Sequence, residues 1–143
     1  GDNYNLETSH VVPALIRKAH EAKLRGDKSF LVWGTGEPLR EFLYSDDLAD
    51  ACIFLLEEKN AEDIGEIINI GTGQEVTVKR LAALVSEVVG FDGDQSFDSA
   101  KPDGTPRKLL DSSRLTALGW KARTSLTEGL SMAYRDFLSS TWA

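Results

Sequence analysis

The stretch LVWGTGEPLREFLYSDDLADA, residues 31–51, places a tryptophan (Trp33), a glycine turn and an arginine (Arg40) close together in a chain of formal net charge −7. A guanidinium set beside an aromatic ring suits an anionic ligand, because arginine presents parallel N–H donors to a phosphate or carboxylate. Ordinary loop chemistry suits the same residues. Lys18, Arg40 and the Arg107–Lys108 pair lie on three separate segments. A diphosphate needs cations converging from several elements, and spacing alone leaves convergence and scattered surface charge equally open. His10 stands just before a helix start, two residues after Thr8. An imidazole there can exchange protons near neutral pH, but the residues alone favour a solvated loop histidine.

Other chemistries find less support. Gly34-Thr35-Gly36 and Gly71-Thr72-Gly73 invite a nucleotide-loop reading. Neither has the third glycine of a dinucleotide fingerprint or the acidic residue expected about 20 positions on. Both read as tight turns leaving strands, so the chain carries no dinucleotide site of its own. No Ser–His–Asp set, nucleophile elbow or metal-ligand spacing is visible. Asp46 and Asp47 read as charges at a helix start, where the dipole favours them. His20, among Lys18, Glu21 and Lys23, reads as part of a solvated helix face, and Cys52, among Ile53, Leu55 and Leu56, as core.

The elements that must position these residues follow from periodicity and punctuation. Val12, Leu15, Ile16 and Ala19 fall on one helical face, with Pro13 in the first turn and Gly26 as a stop. Residues 29–33 read as a strand, "EFLY" as a second, and Ser45 as the N-cap of a helix over 46–59. "EIINI" (66–70) reads as a strand, Thr77 as the cap of a helix that stops at Gly90, and "QSFD" (95–98) as another short strand. Residues 99–108, with two prolines and a glycine, read as a stiff loop whose position matters. Ser112 or Ser113 caps a short helix ending near Gly119. Ser125 and Glu128 match a capping box before a last helix with Leu130, Ala133, Tyr134 and Phe137 inward. The sum is mixed α/β, with too few strands for a large independent parallel sheet.

With 143 residues the chain suits one domain able to bury a core without disulfides or metals. Its single cysteine excludes an intramolecular disulfide and cysteine-rich metal sites. The acidic balance argues against a nucleic-acid binder, which releases counterions with a surplus of Lys and Arg. The longest purely apolar run, Ala51–Leu56, is far too short for a bilayer, and no membrane partner is expected. Residues 1–7 carry no basic region of a secretory signal, which makes the cytoplasm the default location.

Assembled, the segments "DNYNLETSHVVPALIRKAHEA", "VWGTGEPLREFLYSDDLADA", "INIGTGQEVTVKRLA" and "SAKPDGTPRKLLDSSRLTALGW" resemble the C-terminal half of the GDP-L-fucose synthase family. These are extended short-chain dehydrogenase/reductases. The resemblance covers essentially the whole chain. The glycine turn followed by Arg40 and two acids is shared across nucleotide-sugar epimerases and dehydratases, and the first and last segments are more particular.

The resemblance implies a small mixed α+β substrate-binding lobe over 1–143 without the N-terminal Rossmann sheet. The parent enzyme would use NADP(H) to convert GDP-4-keto-6-deoxy-D-mannose to GDP-L-fucose by 3,5-epimerisation and 4-keto reduction. His10 matches the histidine proposed as an acid in the epimerisations, and in the intact parent it is a candidate cofactor contact. Lys18, Trp33 and Arg40 match GDP-sugar contacts, Lys108 a lysine near the diphosphate, and Arg107 and Asp103 secondary candidates beside it. The catalytic serine, the partner cysteine and the Tyr-x-x-x-Lys pair belong to the family's other half. Tyr4, Tyr44 and Tyr134 are followed four residues on by Thr8, Leu48 and Leu138. The chain alone is therefore expected to bind no NADP(H) and to turn nothing over, and the parent is expected to be a homodimer. Two alternatives stand beside this reading: the substrate lobe of a UDP- or dTDP-sugar epimerase or dehydratase, and a non-catalytic interaction module.

Overall fold

A computed structural model of the protein describes residues 2–142. In chain order its elements are α1 (Val11–Arg25), β1 (Ser29–Trp33), β2 (Leu39–Glu41), α2 (Ser45–Glu58), α3 (Ala61–Ile64), β3 (Glu75–Thr77), α4 (Val78–Val89), β4 (Asp94–Asp98), β5 (Arg107–Lys108), α5 (Ser113–Ala117) and α6 (Leu126–Ser139). They divide into two compact units that alternate along the chain. One comprises Gly1–Pro38, Thr77–Pro106 and Thr127–Ala143, and the other Leu39–Val76 and Arg107–Leu126.

The first unit is built on two amphipathic helices. In α1 the buried face is Leu15, Ile16, Ala19 and Ala22, and in α4 it is Leu81, Ala82, Val85 and Val89. The two helices pack on each other, and α1 also packs on β1. Each ends at a left-handed glycine, Gly26 and Gly90, and Thr77 Oγ1 caps α4 by accepting from Arg80 N at 3.1 Å, as the sequence predicts. β1 pairs in parallel with β4, Ser29 opposite Asp94 and Trp33 opposite Asp98. Phe30 and Val32 point inward while Leu31 and Trp33 stay half exposed, the period-two alternation of a strand covered on one face. From α6, Phe137 is fully buried against the rings of Tyr4 and His20.

His20 departs from its sequence reading. It is buried, not solvated, with Nδ1 3.0 Å from the Tyr134 hydroxyl. Its neighbours in sequence are charged, but a helix surface is decided at i±3 and i±4. Ile16, one turn back at i−4, is buried and sets His20 on the inner face.

The second unit packs Ala51 and Leu55 of α2 against Leu115 and Trp120, with Ile68 and Ile70 on the same cluster. Its sheet has the order β3-β2-β5, with β2 and β5 parallel. Four sequence expectations shift here. Residues 67–70 alternate, with Ile68 and Ile70 inward and Ile67 75% exposed, but residues 66–70 join no ladder. Alternation reports packing on one side and says nothing of a strand partner. The strand expected at "EFLY" instead covers Leu39–Glu41. Tyr44, not Ser45, is the N-cap of α2, and no side chain closes that cap. Cys52 is exposed, since Ala51 and Leu55 supply the inward positions of that turn. Asp47 does more than complement a dipole: it is buried, and its Oδ2 accepts from Thr124 N at 2.9 Å. Among the described residues no helix is long and apolar enough to cross a membrane.

Candidate functional site

Each unit carries part of the predicted residue set. In the first, β1 delivers Trp33 to the carboxyl end of a parallel strand pair, the edge where open α/β sheets hold ligands. Lys18, from α1, reaches the same edge. Its Nζ donates to the Leu31 carbonyl at 2.9 Å and lies 5.0 Å from the centroid of the Trp33 indole. Partial burial holds this ammonium below the usual lysine pKa. The indole is 49% exposed, so an apolar face with a cation over it opens to solvent.

Beyond Trp33 the chain turns through Gly34, at φ +84°. Asp103, from the stiff loop, grips this turn: Oδ1 accepts from Thr35 N at 2.6 Å and Oδ2 from Thr35 Oγ1 at 2.8 Å. A β-carbon at Gly34 would run into that carboxylate. The second glycine turn is held in the same manner. Glu41 Oε1 accepts from Gly73 N at 2.7 Å and Thr72 Oγ1 at 3.3 Å, and Oε2 accepts from Leu110 N at 3.0 Å. A dinucleotide loop offers its backbone N–H groups to a pyrophosphate. Here carboxylates already occupy those of Thr35 and Gly73, so neither turn fits a nicotinamide dinucleotide.

His10 is the N-cap of α1. Its carbonyl accepts from Ala14 N at 3.1 Å, and its imidazole is exposed and takes no part in the cap. The ring is accordingly accessible to an incoming molecule.

In the second unit, β5 lies in parallel register with β2, Leu39 opposite Arg107 and Arg40 opposite Lys108. Registered neighbours share a sheet face and successive residues alternate. Arg40 and Lys108 therefore stand side by side on one face, on strands about 4.8 Å apart. Arg107 points to the other face, where its Nε lies 2.8 Å from Glu75 Oε2. With Leu109, Thr72 and Gly73 it lines a groove of about 770 Å³. Arg40 is half buried, and its Nη1 donates to the Leu39 carbonyl at 2.7 Å. Pairing of residues about 68 positions apart, which brings Arg40 and Lys108 together, leaves no trace in local sequence.

One cation went unnoticed in the sequence. Lys101 has its ammonium 5.1 Å from the centroid of the same Trp33 ring that Lys18 faces. Its only sequence signal is membership of the stiff loop.

The small mixed α/β fold, with few and short parallel strand pairs, is consistent with part of an extended short-chain dehydrogenase/reductase. Residues 1–71 match the NAD dependent epimerase/dehydratase family, and the chain belongs to that family. Within it the chain is similar to GDP-L-fucose synthases. It is 57% identical to GDP-L-fucose synthase 1 of Arabidopsis thaliana over 139 residues, covering 97% of this chain and 42% of the relative. It is 45% identical to the GDP-L-fucose synthase of Escherichia coli K12 over 145 residues, covering 97% and 45%. A GDP-L-fucose synthetase of Naegleria fowleri, solved bound to NADP, superposes with a TM-score of 0.84 at 28% identity, covering 96% of this chain and 42% of that one. The chain thus spans about two-fifths of the length of the relatives it matches.

Proposed function

We propose that this chain is the substrate-binding lobe of a GDP-L-fucose synthase and holds the diphosphate of a GDP-sugar. The observation that carries the reading is the registered pair Arg40 and Lys108 on one face of the β2–β5 ladder. The two cations stand at neighbouring positions of one sheet face, and a diphosphate has oxygens enough to accept from both. In the first unit, Trp33 and Lys18 are candidate substrate contacts in their own right, an apolar ring with a cation over it. Arg107, already paired with Glu75, is the weaker candidate of the basic set, and Asp103 acts by holding the Gly34 turn.

In the whole enzyme the substrate is GDP-4-keto-6-deoxy-D-mannose, and the reaction is epimerisation at C3 and C5 followed by reduction of the C4 ketone. His10 is the residue of this lobe placed to carry a proton, because its imidazole is exposed and takes no part in the helix cap. NADP(H) supplies the hydride when bound, and its site belongs to the other lobe. The parent is a homodimer in this reading.

Titration calorimetry of the chain with GDP-L-fucose and with UDP-glucose, repeated on Arg40→Ala, tests the proposal. Binding of GDP-L-fucose alone, weakened at least tenfold in the variant, is the expected outcome. Preference for UDP-glucose would transfer the chain to a different nucleotide-sugar enzyme. Equal affinity of wild type and Arg40→Ala for GDP-L-fucose would remove Arg40 from the site.

A further inference from the structure

Lys101 sits between two anchors of the stiff loop. On one side, Lys101 N donates to the Asp98 carbonyl at 3.1 Å and Ala100 N to Asp98 Oδ1 at 3.1 Å, a turn that starts where β4 ends. On the other, Asp103 holds Thr35 with both carboxylate oxygens. Between them the Lys101 ammonium is directed over the Trp33 indole at 5.1 Å, with that of Lys18 at 5.0 Å from the same centroid. The two ammonium groups are therefore no more than about 10 Å apart. That is close to one screening length at physiological salt, so they repel across the ring. Neither forms an ion pair among the described residues.

We propose that Lys18, Trp33 and Lys101 form a clamp for a multiply charged phosphate group, with Lys101 a binding residue and Asp103 the positioning residue that sets it. The aromatic ring holds two cations at a separation that a dianion can bridge, and each lysine can swing from ring to phosphate without unfolding its support. That the phosphate belongs to a GDP-sugar rests on the function proposed above; the clamp itself rests on the geometry of Trp33. Asp103 accepts from Thr35 and carries the same charge as the ligand, so its contribution runs through loop position. Loosening Asp103 should matter only while Lys101 is present.

The first probe is inorganic pyrophosphate, followed by NMR through the Trp33 indole N–H, which Trp33→Phe identifies. Pyrophosphate is expected to shift that signal. Lys101→Gln should weaken its affinity at least fivefold and flatten the dependence on salt, and Lys101→Arg should restore it to within twofold. Asp103→Asn should weaken it less, and add nothing in a Lys101→Gln background. Absence of any shift at Trp33, or equal affinity in Lys101→Gln, overturns the clamp. GDP-L-fucose is then titrated as a competitor. A Lys101-dependent pyrophosphate site that GDP-L-fucose fails to occupy supports the clamp and refutes the GDP-sugar reading. Tight GDP-L-fucose binding, sensitive to Arg40→Ala and indifferent to Lys101→Gln, does the reverse.

Discussion

Glu41 is the clearest place to test how the second unit is held. It stands next to Arg40 in β2, and its carboxylate receives three donors: Gly73 N at 2.7 Å, Leu110 N at 3.0 Å and Thr72 Oγ1 at 3.3 Å. These tie the second glycine turn and the chain leaving β5 to one strand. Replacing Glu41 by Gln keeps the volume but leaves one acceptor oxygen, and the new NH₂ must face a backbone N–H. If the oxygen stays with Gly73, the bond from Leu110 is lost and the remaining bonds lose their ionic character. A hydrogen bond to a charged group contributes about 1.5–3 kcal/mol, and a half-buried site lets water replace part of it. Glu41→Gln should therefore destabilise by about 2 kcal/mol, near 6 °C in midpoint for a chain of this size. Calorimetric melting gives the total, and amide exchange locates it, with faster exchange at Gly73 and Leu110. A midpoint shift below about 1 °C with unchanged exchange at both amides would refute the reasoning, because it would mean the carboxylate is not holding either segment.

Other expectations follow from the same geometry. Gly34→Ala places a β-carbon against the Asp103 carboxylate at φ +84°, and should cost about 2 kcal/mol or more in a urea titration while freeing the 99–106 loop to proteolysis. Lys108→Met should separate stability from affinity. Lys108 is exposed, so its loss leaves the melting midpoint nearly unchanged, whereas GDP-L-fucose binding falls at least tenfold. A lower midpoint would make Lys108 a structural residue. His20 has its pKa lowered, first by burial and then by Lys23, so the unfolded chain binds its proton more readily. Its contribution is complete above the unfolded value near 6.5 and is lost as pH falls through the folded value. Urea midpoints between pH 7.5 and 5 should decline more steeply in wild type than in His20→Gln, and parallel declines would count against this account.

Local chemistry made part of the fold readable. Gly26, Gly90 and Thr77 act on their own helix ends within a few residues, so α1 and α4 emerge with their boundaries. The strand at 29–33 shows as a short apolar run that ends at a glycine turn. The β2–β5 ladder does not, because two residues of β5 have no pattern of their own and acquire strand geometry only from Leu39 and Arg40. Residues 66–70 show the opposite case, a strand pattern with no partner to pair it. Among site candidates, residue type pointed to Lys18, Trp33, Arg40 and Lys108, but their settings were hidden. The register that sets Arg40 beside Lys108, the Glu75 ion pair that engages Arg107, and the second cation on Trp33 all depend on contacts far apart in sequence.

The alternation of the two units along the chain has a kinetic consequence. β1 finds its partner 65 positions downstream, from Ser29 to Asp94, and β2 finds β5 at a similar distance, from Arg40 to Lys108. At roughly 5–20 residues per second of synthesis, β1 exists for about 3–13 s before β4 has been made. Throughout that interval Phe30, Leu31 and Val32 lack their β4 partner, and loop closure must precede any reward from that pairing. A nascent chain of this design spends seconds as an unsealed strand beside a finished helix, which makes slow translation, not low final stability, the step at which it is most exposed to aggregation.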